Sequence, residues 1–508
     1  MSCADGDLRR AAWCASDGTL VPMTRPTRPV VPSRNVLAAR AEALSVVLPP
    51  EVIELAATFA DAGHDLVLVG GPVRDAFLGR SSADLDFATS ARPDQTEALL
   101  ARWTKATWDM GRAFGTIGGK KHDLVVEITT FRADEYDGVT RKPVVAFGDS
   151  LEGDLARRDF TVNAMALRVA TGEFIDPFGG LDDLAGGLLR TPVGADVSFG
   201  DDPLRMMRAA RFVSQLGFEI EPATFAAMGR MADRIAIVSA ERVRDELTKL
   251  LMGADVREGL TALVDSGIAA HVLPELPALQ LEVDEHHHHK DVYQHTLTVI
   301  EQAIDLETDD DGAVPSPDLV LRLAALMHDI GKPATRRLEP GGVVSFHHHE
   351  VVGAKIATKR LKALRFEKDV IKAVAHLTEL HLRFHGYGEA RWSDSAVRRY
   401  VTDAGDQLER LHRLTRADVT TRNKRKAERL AFAYDDLEAR IAELRAKEEI
   451  DSIRPDLDGT EIMAVLGIGP GRAIGDAYKF LLELRMEHGP LGPERASDEL
   501  RTWWAARP

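Results

Sequence analysis

Two carboxylates separated by one residue stand out in this chain of 508 residues. In the stretch LVGGPVRDAFLGRSSADLDFATS, an apolar run ends at Gly70 and Gly71, and Asp84 and Asp86 flank a single leucine. Residues two apart on a strand project from the same face. Paired carboxylates repel unless a cation lies between them, and Mg²⁺ prefers such oxygen ligands and accompanies phosphates. The alternative interpretation is an acidic surface turn, which a lone D-x-D pair does not exclude.

The glycine pair has the properties of a phosphate-binding turn. A Gly70-Gly71 turn ahead of a helix at Val73 offers free backbone N–H groups, no Cβ and a helix N-terminus. Arg74 follows at a position suited to phosphate oxygens.

A second string, DLARRDFTVNAMAL, places Arg157, Arg158 and Asp159 before an apolar segment. A third, DDPLRMMRAARFVSQLGF, predicts a helix that Asp201 or Asp202 caps, with a proline in the first turn. Its arginines recur every three residues and predict a cationic stripe along one side: Arg205, Arg208 and Arg211.

Asp202 and Arg205 lie one helical turn apart in that string. Together they offer carboxylate acceptors and guanidinium donors, a protein substitute for a base-pairing edge. The alternative is an Asp-Arg ion pair within the helix, of small energetic value. Spacing alone favours the ion pair.

Histidines are concentrated in one quarter of the chain, where 13 of 17 fall between His286 and His412. The pattern predicts His295 on a helix and His328-Asp329 at the end of an apolar helix, and Asp418 stands in an otherwise apolar and basic helix. Imidazole and carboxylate ligands suit Mn, Fe, Ni, Zn or Co, and neighbouring metals activate water for phosphoester hydrolysis. Other histidines accompany them: His347, His348, His349, His376 and His381. The run HHHH at 286–289 is interpreted as a polar loop.

The elements that must position these residues change character along the chain. Residues 1–48 are Pro- and Arg-rich without periodicity and predict a disordered leader. Apolar strands and helices over 49–185 predict a mixed sheet, with glycine-rich turns at GTIGGKK, and helical periods dominate thereafter. The fold class is therefore α+β. The proposed divisions are a head (49–185), a helical neck (186–280), a histidine-rich domain (281–425) and a helical tail (426–508).

Composition limits the setting of the protein. No segment is apolar enough to span a bilayer or to act as a secretory signal, and the only cysteines are Cys3 and Cys14 in the leader. We therefore expect a cytoplasmic protein without disulfides or a membrane partner. The net charge of −16 by itself argues against a nucleic-acid partner. A local basic excess over residues 412–430 is either a solvated helix face or a patch for an RNA backbone.

Five strings over about 65–255 resemble the bacterial class II CCA tRNA nucleotidyltransferase and poly(A) polymerase family, in the order that the family has them. They are VGGPVRDAFLGR…ADLDFAT, RRDFTVNAMA, FIDPFGGLDDL, DDPLRMMRAARFVSQLGF and ERVRDELTKLL. The resemblance implies a DNA polymerase beta-like head. One departure is Asp201, where the family usually has glutamate.

The resemblance also implies roles for residues. Asp84 and Asp86 would bind Mg²⁺, Gly70, Gly71 and Arg74 would hold the nucleotide, and Arg158 would contact ribose or phosphate. Asp202 and Arg205 would read the incoming base, and Arg208 and Arg211 would serve the triphosphate.

The implied reaction is in-line attack of an RNA 3′-hydroxyl on the α-phosphorus of ATP or CTP, with release of pyrophosphate. The acceptor end of tRNA is the expected partner. Glu127, a charge among alternating apolar residues, is the candidate third catalytic carboxylate, and a plain edge-strand glutamate is the alternative.

The product separates two hypotheses. Polyadenylating relatives resemble a pattern with several basic residues after the D-x-D strand, but this chain has GRAFGTIGG there. That favours CCA addition over poly(A) addition, and homologues can also divide the labour, one adding C and another A. A third hypothesis is a metal-dependent phosphohydrolase whose head only binds nucleotide.

Residues 285–425 resemble an HD-superfamily phosphohydrolase domain. The resemblance implies a four-ligand set of His295, His328, Asp329 and Asp418, and His349 with His376 or His381 could hold a second metal. Such domains hydrolyse phosphate ends or cyclic phosphates of RNA, or serve as scaffold. The tail has a helix–Gly-Pro-Gly–helix pattern, interpreted either as a holder of the acceptor end or as a closing helical hairpin.

Overall fold

The structure is a computed structural model, and it divides the chain into two compact units, Met1–Pro277 and Ala278–Pro508. It describes residues 31–43, 48–80, 84–132, 150–281, 291–308, 314–340, 344–387, 392–421, 423–448 and 450–507.

The first unit combines strands and helices. Its strands are β1 (Leu66–Val69), β2 (Asp84–Thr89), β3 (Ala106–Trp108), β4 (Thr116–Lys121), β5 (Leu124–Thr130), β6 (Ala166–Arg168), β7 (Glu173–Ile175), β8 (Leu188–Leu189) and β9 (Glu219–Ile220). The helices of the head are α1 (Arg34–Ala43), α2 (Pro50–Asp61), α3 (Gly71–Phe77), α4 (Pro93–Trp103), α5 (Leu151–Ala156) and α6 (Gly180–Gly186). Those that follow are α7 (Ala195–Asp201), α8 (Leu204–Leu216), α9 (Pro222–Met231), α10 (Ala240–Leu251), α11 (Val256–Asp265), α12 (Ala269–Val272) and α13 (Glu275–Ala278).

Seven strands form one mixed sheet in the order β3-β4-β5-β2-β1-β6-β7. All neighbouring strands are antiparallel except β2 and β5, which run parallel. The register of that parallel pair places Asp86 opposite Glu127. The strand that carries the D-x-D motif therefore lies near the middle of the sheet, between β5 and β1.

The central strands β2 and β5 bury one face and expose the other around their charged residues. Phe87, Val126 and Ile128 are buried, whereas Asp86 and Glu127, which alternate with them, are exposed. On the buried side, α4 packs against β3, β4 and β5. Because alternate strand residues face opposite sides, the open face carries the carboxylates.

The prediction of glycine-rich turns at GTIGGKK holds for Gly115, which has φ 80° at the end of a short 3₁₀ turn, and is wrong for Thr116–Lys121, which forms strand β4. Its glycines have a packing role instead of a turn role. A Cβ at Gly118 would lie 2.1 Å from Cε2 and Nε1 of Trp108, and one at Gly119 would lie 3.3 Å from Cδ2 of Leu100. Glycine within a strand often marks such a close approach.

The predicted disordered leader is wrong for Arg34–Ala43, which forms helix α1. Leu37 in this helix is fully buried, and Nη2 and Nε of Arg34 contact the carboxylate of Asp182 in α6. Nη1 of Arg40 donates to the carbonyl of Phe77. Residues 1–30 lie outside the described residues.

The second unit is helical. Its elements are α14 (Val292–Asp305), α15 (Leu319–Met327), α16 (Lys332–Thr335), β10 (Arg337–Leu338), β11 (Val344–Ser345), α17 (His349–Ala363), α18 (Lys368–Leu380), α19 (Asp394–Ala404), α20 (Leu408–Ala417), α21 (Lys424–Lys447), α22 (Gly459–Leu466), α23 (Arg472–His488) and α24 (Pro493–Ala505). A separate apolar cluster, which includes Ile462, Leu481 and Leu500, joins the last three helices. The α+β organisation predicted from the sequence is confirmed. Among the described residues, no helix is long and apolar enough to cross a membrane.

Candidate active sites

The glycine turn lies beside the carboxylate strand. Leu68 pairs with Phe87, so the next residues along the two antiparallel strands are Val69 and Asp86, and the turn follows at once. Gly70 adopts φ 76° and ψ −138°, a left-handed region that favours glycine. A Cβ at Gly70 would also lie 2.9 Å from Nη1 of Arg158. The turn thus places Arg158 close to the backbone that precedes α3.

The side chain of Arg158 is oriented by a buried carboxylate. Its Nη2 lies 3.1 Å from Oδ2 of Asp154, and Nη2 of Arg157 lies 2.9 Å from Oδ1 of the same carboxylate. Burial would raise the pKa of Asp154, but the charges of Arg158 and Arg157 lower it below its usual value. One buried carboxylate therefore orients both arginines of the RRDF string.

Arg74 is buried and already has partners. Its Nη1 donates to Oδ1 of Asn163 over 2.7 Å, and its Nε and Nη2 donate to Oδ1 of Asp75 over 2.9 and 2.8 Å. Asn163 in turn donates to Asp159 over 2.9 Å. The side chain is thus fixed rather than free to swing.

The predicted cationic stripe of α8 is not an exposed one. Arg208 binds Asp159, with 2.8 Å between Nε and Oδ2, and buried Arg211 lies 3.0 Å from Oε2 of Glu246. Burial and the charge of Arg208 lower the pKa of Arg211 to about 10. The guanidinium carbons of Arg74, Arg208 and Arg211 lie 5.2, 5.8 and 4.3 Å from the ring centre of Phe212. The three arginines therefore gather around one aromatic ring, and each of them is paired with a carboxylate.

Asp202 and Arg205 do not pair with each other, so the alternative prediction of an ion pair within the helix is wrong. Oδ2 of Asp202 lies 2.7 Å from Nη2 of Arg242 on α10, and Oδ1 accepts from the backbone N–H of Leu204 at 3.2 Å. Arg205 donates from Nη1 to Oγ of Ser198 over 2.9 Å. The Asp202 side chain thus accepts the first N–H of α8, as predicted for a residue at a helix start, although the N-cap position is Pro203; Asp201 ends α7. The Asp202 carboxylate and the Arg205 guanidinium are thus each oriented by a separate neighbour.

Asp86 and Glu127 are neighbours across β2 and β5 and both are exposed, while Asp84 opens β2 opposite Val125 in the register. The sheet thus brings the candidate third carboxylate beside the D-x-D strand.

The second unit brings the predicted histidine ligands together in two adjoining groups. Ligand atoms of His295, His328 and Asp418 lie within 4.8 Å of one another, and so do those of Asp329, His349 and His381. Asp329 contacts both groups: Oδ2 lies 3.3 Å from Nε2 of His328, and Oδ1 lies 3.3 Å from Nε2 of His349. Asp329 is therefore a carboxylate shared between two candidate ion positions.

The hydrogen bonds of these histidines leave ring nitrogens for a cation. Nδ1 of His328, His349 and His381 lies 2.8, 2.9 and 2.7 Å from the backbone carbonyl oxygen three residues earlier. A carbonyl only accepts, so each Nδ1 carries the proton and Nε2 is left with a lone pair, as second-shell contacts to metal-ligating histidines require. Nε2 of His328 also faces Nε2 of His295 at 3.3 Å, with Nδ1 of His295 3.1 Å from Oγ1 of Thr420. The donor set fits divalent cations.

Charge at this centre is unevenly distributed. Burial would lower the pKa of His328, but Asp329 and Asp418 raise it to about 9. Burial and the charge of His328 lower the pKa of His381 to about 3. Burial would raise the pKa of Asp329, but His328 and Lys332 lower it well below its usual range. Carboxylates thus stay charged, and a proton and a cation compete for His328.

Not every predicted histidine belongs to the centre. Nε2 of His376 lies 2.7 Å from the backbone carbonyl of Asp403, so of the two alternatives for a second-metal ligand the structure supports His381. His347 and His348 are exposed at the start of α17, and the HHHH run lies outside the described residues. The sequence does not indicate roles for Arg242, Asn163 and Thr420, because each contacts a polar group distant along the chain.

Buried His412 predicts an acid-sensitive fold. Its ring stacks on Tyr400 at 5.7 Å, and neither ring nitrogen has a hydrogen-bond partner among the described residues, although Nδ1 lies 3.5 Å from Oε1 of Glu438. Burial and the charges of Arg416 and Arg413 lower its pKa to about 3. The unfolded residue binds a proton near pH 6.5, so stability is present above that pH and is lost as pH falls toward 3.

We expect His412→Phe to remove about 2 kcal/mol of the stability difference between pH 7 and pH 5, since each pH unit is worth about 1.4 kcal/mol per proton. Urea unfolding of wild type and variant at both pH values measures this. Exposed His488→Phe is the control, and equal pH dependence of all three proteins would contradict the expectation.

An open sheet face that carries carboxylates beside a glycine turn is typical of one class of enzyme: the chain is a nucleotidyltransferase. Residues 66–190 match the poly A polymerase head domain, 217–279 match the probable RNA and SrmB-binding site of polymerase A, and 292–423 match the HD domain. The chain is 35% identical over 445 residues to the A-adding tRNA nucleotidyltransferase of Deinococcus radiodurans, covering 86% of this chain and 95% of that one. It belongs to the family of A-adding and CCA-adding tRNA nucleotidyltransferases.

Other relatives agree over shorter or more distant matches. The CCA-adding enzyme of Bacillus velezensis is 44% identical over 219 residues, which is 43% of this chain and 53% of that enzyme. The crystal structure of the Bacillus stearothermophilus CCA-adding enzyme in complex with CTP shares the fold with TM-score 0.64 at 24% identity, covering 91% of this chain and all of that one. The Thermotoga maritima CCA-adding enzyme complexed with tRNA has TM-score 0.58 at 19% identity, covering 95% of this chain and 100% of that chain. The head and HD families both depend on metal, and the donors described above suit divalent ions.

Proposed function

We propose that this chain adds C, C and A to the 3′ end of tRNA from CTP and ATP. One observation carries the proposal: Asp86 lies between Glu127 on one neighbouring strand and the glycine turn of β1 on the other. Metal-binding carboxylates and a phosphate-binding turn are thus adjacent on an open face. The family supports the reaction class. The stretch GRAFGTIGG has Ala113 and Gly115 where polyadenylating relatives resemble a pattern with further basic residues, and this supports CCA as the product.

Asp84, Asp86 and Glu127 would hold Mg²⁺. The ion, when bound, would neutralise phosphate charge and stabilise the attacking and leaving oxygens. Gly70, Gly71, Arg74 and Arg158 would bind the triphosphate from the β1 side. Their preformed contacts with Asp75, Asn163 and Asp154 would limit the ordering that binding requires.

Asp202 and Arg205 would present acceptors and donors to the incoming base, oriented by Arg242 and Ser198. Among the remaining arginines of α8, Arg208 is the candidate for triphosphate oxygens, because it is half-buried and can exchange Asp159 for phosphate. Arg211 is buried against Glu246, so we assign it to packing α8 on α10 instead.

The product is tested with purified protein and three RNAs: tRNA lacking CCA, tRNA ending in C, and tRNA ending in C-C. We expect all three to be extended to C-C-A and then to stop, as read on a sequencing gel with CTP and ATP together. Extension of only the C-C RNA, by a single A, would instead show an A-adding enzyme like the Deinococcus relative. A long ladder of A would show poly(A) synthesis, and either result would overturn CCA addition.

A second function is supported by the shared carboxylate of the second unit. We propose that His295, His328, Asp329 and Asp418, with His349 and His381, hold a divalent transition metal such as Mn, Fe, Ni, Zn or Co and hydrolyse phosphate esters. Bound ions would supply a nucleophilic water at neutral pH. Asp329 and Asp418 would remain charged, and the backbone carbonyls behind the histidines would keep Nε2 directed at the centre. Release of phosphate from RNA ends or opening of 2′,3′-cyclic phosphates tests it.

A further inference from the structure

Four residues form one line across the open face of the sheet. Trp108 pairs with Gly118, Gly118 with Glu127, and Glu127 with Asp86, on strands β3, β4, β5 and β2. Residues directly opposite one another on neighbouring strands lie on the same face. The line therefore places a tryptophan on the same face as the carboxylates, roughly 10 Å from Glu127 at a strand spacing of about 4.8 Å.

The indole of Trp108 covers the bare backbone of Gly118. A Cβ on Gly118 would lie 2.1 Å from Cε2 and Nε1 and 2.5 Å from Cζ2. Only glycine leaves room for the ring to lie against β4 in this way. The ring is half-buried, and Glu127 beside it is exposed. The result is an aromatic surface over β4, the strand that separates Trp108 on β3 from the candidate catalytic glutamate on β5.

The order of strands places Trp108 on the opposite side of Asp86 from the glycine turn. The glycine turn and Arg74 lie with β1, and the ring of Phe212 in α8 lies 5.2 Å from the guanidinium carbon of Arg74. Trp108 lies on the other side of Asp86, beyond β5 and β4. In an in-line displacement the attacking and leaving oxygens are on opposite sides of the phosphorus. If the triphosphate is bound from the β1 side, the RNA 3′-hydroxyl arrives from the side of Trp108.

We propose that Trp108 is a stacking platform for the terminal base of the RNA acceptor. This rests on the proposed nucleotidyl transfer and adds the position of the second substrate. Every base has a π-face, so an aromatic ring accepts the last base whatever its identity. That tolerance suits an enzyme whose acceptor ends in a different nucleotide at each addition. The competing explanation is that the indole only packs on Gly118.

The test compares two RNAs that both end in a free 3′-hydroxyl. One is tRNA ending in C-C, and the other is the same RNA with the base of its last nucleotide removed. At saturating ATP, we expect wild type to lose on the order of tenfold to a hundredfold in kcat/KM for the abasic RNA, the range that base–aromatic stacking gives. Trp108→Ala should lose a similar factor on normal RNA and show no further loss on abasic RNA, with KM for ATP unchanged.

Two further variants separate stacking from structure. Trp108→Phe keeps a ring and should keep the preference for the normal RNA. Gly118→Ala keeps the tryptophan but displaces it, so it should behave like Trp108→Ala while melting as a folded protein. An undiminished preference in Trp108→Ala or in Gly118→Ala would overturn the proposal, and so would a raised KM for ATP with the RNA ratio intact. A wild type that extends neither RNA would instead overturn the proposed function itself.

Discussion

Asp86→Asn is expected to abolish nucleotide incorporation, by about 1000-fold or more in kcat. The exposed carboxylate lies between the glycine turn and Glu127, where developing charge on phosphate oxygens must be balanced. Metal-based stabilisation of such charge is worth several kcal/mol, and each 1.4 kcal/mol is a factor of ten in rate. Single-turnover extension of tRNA ending in C-C measures the loss. The rate of nucleotide incorporation should also fall in Glu127→Gln, because Glu127 is the candidate third carboxylate.

The matched control for this experiment is Asp123→Asn. Asp123 is also exposed, and it lies in the turn between β4 and β5, away from the line of Asp86 and Glu127. It should extend tRNA at the wild-type rate, since surface substitutions of this kind are usually silent. Retention of activity by Asp86→Asn would contradict the assignment of the head as the site of transfer.

Asp329→Asn is expected to weaken metal binding in the second unit by about 100-fold or more. Loss of groups that merely orient ligands costs tenfold to a hundredfold in affinity, and Asp329 contacts both ligand groups directly. Elemental analysis after dialysis against a metal buffer gives the number of ions per chain. We expect His295→Ala and His381→Ala each to lose the ion at one of the two candidate positions only. In Asp329→Asn, phosphoester hydrolysis should fail while tRNA extension continues.

His376→Ala provides the control for metal binding. It lies on α18, the helix that His381 follows, but its Nε2 is occupied by the carbonyl of Asp403. Its metal content should equal that of wild type. Equal metal content in Asp329→Asn and wild type would contradict the assignment of these residues as a metal centre. Loss of tRNA extension in Asp329→Asn would show that the two units are not functionally separable.

Sequence reasoning succeeded where a pattern reports local geometry. The D-x-D motif was placed on a strand, His295 and His328 on or at the end of helices, and Asp202 at a helix start, and the structure shows each there. These features follow from alternation, helical period and capping, which depend on a few neighbouring residues.

It failed where tertiary packing decides. Gly118 and Gly119 predict a turn because glycine favours turns, but both lie in β4, where neighbouring side chains need the space. Arg211 has the spacing of a surface stripe, yet Glu246 from another helix pairs with it in the interior. Asp202 has Arg205 one turn away, yet binds Arg242 on α10. In each case the deciding partner is distant in sequence, so spacing contains no information about it.

The single parallel pair in the sheet has a consequence for how the active site comes into being. Strands β3, β4 and β5 form one set joined by antiparallel pairing, β2, β1, β6 and β7 form another, and β2–β5 alone joins them. Asp86 and Glu127 face each other across that seam. Pairing of segments distant along the chain is slow, because loop-closure entropy is lost before contacts form. Asp86 and Glu127 are 41 residues apart in sequence, whereas Val67 and Arg168, which pair across β1 and β6, are 101 residues apart. The chain can therefore bring the two carboxylate strands together before β6 and β7 join the sheet.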